Sequence, residues 1–119
     1  MKGVFLGLLV VCVALSIVFA QEAAVLTLKG DIIDTLCAGT QTPEQLVAFV
    51  KTHAKACALA PECAASGYTI FADGKLYKFD KESSVKVEEF LKKDDSTLQV
   101  VVEAKQAGDV ISLISIKNQ

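Results

Sequence analysis

The spacing of hydrophobic and polar positions changes several times along the chain, and each change marks an element. Residues 4–19 are nearly all apolar and are followed by the polar pair Gln21-Glu22. Residues 24–36, AVLTLKGDIIDTL, mix β-branched residues and leucines around Gly30, which predicts a long first strand bent or bulged at its middle. Thr42, Pro43, Glu44 and Gln45 form a helix start, with threonine as cap, proline in the first turn and glutamine reaching back. The helix is expected over residues 43–59, with Leu46, Phe49, Val50, His53 and Cys57 on one face and Lys51 and Lys55 elsewhere. Pro61 and Gly67 end this region. Residues 68–72 and 75–79 flank Asp73-Gly74, a two-residue hairpin turn. A second helix is expected over residues 84–93, with Val87, Phe90 and Leu91 inward and Lys92-Lys93 at its negative end. Leu98, Val100, Val102 and Ala104 then alternate with Thr97, Gln99 and Glu103, and a turn at residues 106–109 leads into a last strand at 110–117.

The order is strand, inserted helix, two-stranded hairpin, helix, two strands. It predicts a mainly β (α+β) fold, a five-stranded OB-like Greek-key barrel with one helix inserted after the first strand and one between the third and fourth. A plain α+β sandwich can share this order. The bent first strand favours the barrel, in which one long strand serves both halves of the sheet.

The apolar start has the layout of a secretory signal: Lys2 as the positive end, the apolar stretch, and Val18 and Ala20, which fit the two recognition positions before a cleavage site. Cleavage is expected after Ala20, and the stretch is shorter than the roughly 20 residues a spanning helix needs. No paired arginines precede it, and Cys12 follows Val11 rather than a small residue, so neither twin-arginine export nor lipidation is indicated. Removing residues 1–20 of the 119 leaves one domain, 21–119, exported to the periplasm or the extracellular space. No stable membrane insertion is expected after cleavage. With Lys2 gone, 11 lysines face 14 acidic residues, and there is no arginine. That balance argues against a nucleic-acid partner and leaves a protein or a small ligand.

The candidate chemistry is Cys37, His53, Cys57 and Cys63, the mature chain's three thiols and sole histidine. On one helix, His53 and Cys57 would share a face, and Cys37 and Cys63 lie in segments able to fold over it. Cys3His is a closed tetrahedral set for structural zinc. The competing reading is a disulfide, because an exported thiol pair meets an oxidising compartment; it would join two of the three cysteines, leave one thiol over and require no cofactor. Thiol redox chemistry is a third reading. Thiolate-bound Cu(I) is compatible with the set, whereas a blue-copper centre is not, since the mature chain has one histidine and no methionine. There is no C-x-x-C-H or C-x-x-C, and no recognisable orienting acid beside a nucleophile. Asp31 and Asp34 read as ordinary strand-end charges. Tyr68, Phe71, Tyr77 and Phe79 read as core filling rather than as a base-stacking face.

The segments GDIIDTLC (30–37), HAKACALAPECAASG (53–67) and DGKLYKF (73–79) together resemble a group of small exported bacterial OB-like proteins of unassigned function. The resemblance implies that Cys37, His53, Cys57 and Cys63 act as one site. It implies no particular activity or cofactor.

Overall fold

The computed structural model describes residues 24–119, so the expected signal segment and the expected cleavage after Ala20 lie outside the described residues. Among the described residues, no helix is long and apolar enough to cross a membrane. Ten elements follow one another: β1 (Ala24–Asp34), α1 (Thr35–Ala38), α2 (Pro43–Thr52), α3 (Lys55–Ala58), α4 (Pro61–Ala65), β2 (Tyr68–Ala72), β3 (Lys75–Phe79), α5 (Lys81–Leu91), β4 (Gln99–Ala107) and β5 (Val110–Asn118).

The fold is α+β, with the five strands in one mixed sheet of order β1-β2-β3-β5-β4 whose pairings return to β1. All contacts are antiparallel except β3 with β5, a short parallel pairing of Lys78 with Val110 and Phe79 with Ile111. β1 serves two neighbours: it pairs with β4 from Ala24 to Asp31 and with β2 from Asp31 to Asp34. Gly30 sits at this handover, and a Cβ there would lie 2.1 Å from the Phe71 carbonyl oxygen. Glycine is required because another backbone passes at that distance. The β1–β4 register has no slip, so of the bend or bulge expected near Gly30 the bulge is absent; the one register shift among the described strand pairs falls on β4–β5, between Glu103 and Ala104.

The hairpin forms as expected, with Asp73 at φ 52° and Gly74 at φ 74°, the paired positive angles of a primed turn. The Thr42 capping box is also present: Thr42 accepts from the Gln45 backbone, and the Gln45 side chain accepts from Thr42 N–H. The helix expected over 43–59 is instead two shorter ones, α2 and α3, and a further short helix, α4, follows from Pro61. α2 stops at Thr52, and its C-cap His53 has extended dihedrals (φ −69°, ψ 120°). No proline or glycine causes the break; the His53 ring is hydrogen-bonded to Asp34 at the end of β1, and tertiary contact overrides helical spacing. α5 begins three residues before its expected start, because Asp80 caps it by accepting from Ser83 N–H.

Two apolar clusters organise the packing. Inside the ring of strands, Leu28, Ile32, Tyr68, Ile70, Phe79, Val100, Val102 and Ile111 meet Val87 and Leu91 of α5 and Ala58 of α3. Tyr68 is core, and its buried hydroxyl donates to the Ala58 carbonyl at 2.8 Å. The second cluster lies on the opposite face of β1 and β2, where Ile33 and Phe71 are covered by Ala38 and Leu46, flanked by Phe49 and Val50. Strand alternation explains the division, since Ile32 and Ile33 must point to opposite faces. The inserted segment therefore buries the outer face of the sheet only where β1 and β2 pair.

Candidate metal centre

Asp34 is the last residue of β1, on the side that carries Ile32 and opposite Tyr68 in register. It is fully buried. A buried carboxylate needs partners for both oxygens, and the chain supplies them from two directions. Oδ2 accepts from the Cys37 backbone N–H at 2.9 Å, which ends the strand and starts α1. Oδ1 lies 3.0 Å from His53 Nε2, whose side chain is only 3% exposed. With the carboxylate ionised, Nε2 is the donor, and Phe49 stacks on the ring at a centroid distance of 5.0 Å. His53 Nδ1 is buried with no hydrogen-bond partner.

Around this carboxylate the backbone brings two thiols together. Thr35 N–H donates to the Gly67 carbonyl at 2.9 Å, and Leu36 N–H donates to Ser66 Oγ at 3.0 Å. Ser66 Oγ in turn donates to the Cys63 carbonyl at 2.6 Å. These bonds tie α1 to the end of α4, and so hold Cys37 beside Cys63. One carboxylate oxygen of Asp34 and the sulfurs of Cys37 and Cys63 all lie within 4.8 Å of one another. Cys37 and Cys63 are 4.4 Å apart with no bond between them.

Burial pushes the Cys37 thiol up to about 12, and the hydrogen bond to Asp34 and its negative charge act in the same direction. Cys63 is also raised, first by desolvation and then by Asp34. Without a cation, both groups are therefore thiols at neutral pH and poor nucleophiles. A divalent ion between them would reverse that logic, because its charge stabilises thiolate and carboxylate together.

Of the four residues singled out by sequence, Cys37 and Cys63 meet directly. His53 joins them through Asp34 rather than as a member of the close group. Cys57, on α3, is exposed and stands outside it. The break at His53 separates these two residues, which no longer share a helix face. Asp34 is the residue that sequence reasoning missed as a participant. The clue was its place three residues before Cys37, the spacing at which a carboxylate caps a helix start.

Of the other concavities, one beside the end of α2 is lined by His53, Lys55 and Ser96. A cavity of about 620 Å³ between α4, α5 and the β3–β5 junction is lined by Gly67, Phe79, Ser84, Val85 and Val110 and includes none of these groups. A scan against family models and searches of curated proteins and solved structures find no match to the chain.

Proposed function

We propose that this chain is an exported, non-enzymatic domain that holds one structural zinc ion through Asp34, Cys37 and Cys63. The observation that carries the reading is the convergence of one buried carboxylate oxygen and two sulfurs from three different elements within 4.8 Å. In a tetrahedral zinc site, donors at 2.0–2.3 Å stand roughly 3.5 Å apart, so small side-chain rotations close the group around an ion. The fourth position falls to a water molecule, since His53 turns Nε2 to Asp34 and stands outside the close group. The Asp34–His53 bond is the kind of outer contact that fixes a ligating carboxylate.

The finer fold reading, an OB-like Greek-key barrel, is supported by the strand order, the parallel β3–β5 contact and the position of α5 between β3 and β4. Export, cleavage after Ala20 and action in the periplasm or outside the cell belong to the same proposal, as does a protein or small-molecule partner. The absence of arginine supports the exclusion of nucleic acid.

A second reading has its own observation. The separation of Cys37 and Cys63, 4.4 Å, is short enough for side-chain rotation to bring them to disulfide distance in an oxidising compartment. Metal analysis of the purified protein, paired with intact mass before and after reduction, separates the two. Zinc at one ion per chain, lost in Cys63→Ser and kept in Cys57→Ser, is the expected result. A two-dalton mass increase on reduction with no metal present would replace the zinc site with a disulfide.

A further inference from the structure

We infer that zinc and a Cys37–Cys63 disulfide are mutually exclusive occupants of this one site, so that oxidation by a low-molecular-weight disulfide ejects the metal. The inference rests on the zinc reading above and adds its regulation. The same two side chains supply two of the three protein donors and also form the thiol pair, 4.4 Å apart, that α1 and α4 hold side by side. Once bonded to each other, the sulfurs are no longer thiolates, and Asp34 alone remains to hold the ion. One carboxylate does not retain zinc against water.

The exchange balances as a two-electron transfer. A zinc-bound thiolate of one cysteine attacks the external disulfide, forms a mixed disulfide and expels one thiolate. The second cysteine thiolate attacks the protein sulfur of that mixed disulfide and expels the other. Two cysteine sulfurs are oxidised, one external disulfide is reduced to two thiolates that take protons from water, and one Zn²⁺ leaves. The backbone need not unfold for this, because the ties from Thr35 to Gly67 and from Leu36 to Ser66 do not involve the sulfurs. Cys57 is exposed and outside the group, so its removal leaves both occupancies intact.

The test uses the reduced, zinc-loaded chain and its Cys57→Ser variant, titrated with oxidised glutathione. Released zinc is followed with a chromogenic chelator, and the product is read by intact mass and peptide mapping. In both proteins the expected result is one zinc released for each two-dalton loss, with Cys37 linked to Cys63 and far-ultraviolet circular dichroism unchanged. Zinc bound at one equivalent but retained while the disulfide forms, or a disulfide that runs through Cys57, would overturn the exclusivity and leave the zinc site standing. Failure of the reduced protein to bind zinc at all would remove the zinc reading and this inference together.

Discussion

The ring of strands and the inserted segment, residues 35–67, are held by different forces. The strands enclose an apolar cluster of fourteen buried residues, and full burial of each large aliphatic side chain contributes about 1.5–3 kcal/mol. The insert contributes only Ala38, Leu46 and Ala58 as buried apolar residues, while Leu36 and Val47 are half exposed. What fixes it is a set of directed bonds: Asp34 to His53 and Cys37, Leu36 to Ser66, and the Lys55 ammonium to the Lys93 and Ser96 carbonyls at 2.9 and 2.8 Å. A segment with so little apolar burial gains most from a crosslink, and the carboxylate and thiols lie where it leaves and rejoins the sheet.

This contrast can be broken in order of expected effect. Ile70→Ala, inside the ring, should destabilise the whole domain by about 2–5 kcal/mol, with strand and insert amides losing hydrogen-exchange protection together. Asp34→Ala removes a helix cap and strands the buried His53 N–H; it should cost about 2–4 kcal/mol and abolish zinc binding. In that variant, residues 35–67 should exchange faster than the strands, and equal loss in both regions would show that the insert is not a separate unit. Lys55→Met should cost about 1–2 kcal/mol in denaturant melts, because the Lys93 and Ser96 carbonyls lose a charged donor.

The smallest effect sharpens the comparison from the side of the sheet. Hydrogen bonds from Ser112 and Ser83 hold the Asp80 carboxyl below the usual carboxylate range. A group depressed on folding stabilises fully above its unfolded value, about 3.9, and that contribution is lost as pH falls through the lower folded value. Asp80→Asn should therefore flatten the acid limb of the stability curve below about pH 4. At neutral pH, Asp80→Ala should cost about 1 kcal/mol as a lost cap, with zinc binding unchanged.

Local chemistry was legible in the letters wherever it needed no distant partner. Asp73-Gly74 specified its turn and Thr42 with Gln45 its capping box, because each bonds within three residues. Alternation from Leu98 to Ala104 likewise identified which side chains of β4 turn inward. The single long helix failed at His53 because the ring's partner lies 19 residues earlier in sequence, beyond any helical period. Asp34 looked like an ordinary strand-end charge for the same reason: nothing adjacent to it announces a buried imidazole. Gly30 marked the first strand as bent or bulged but could not say which, since a missing side chain there can mean either a slipped register or a crowding neighbour; the strand changes partners beside it without a slip.

Gly30 also limits how this architecture can diverge. Outward positions on the same strand, such as Lys29 and Thr27, can drift among many residue types without disturbing what lies beneath. At position 30 even a methyl group would press into the Phe71 carbonyl and lever apart the two strands whose ends carry Asp34 and Tyr68. A lineage that kept the crossing would have one admissible letter at that place, and its loss would mark descendants in which the carboxylate had already come adrift.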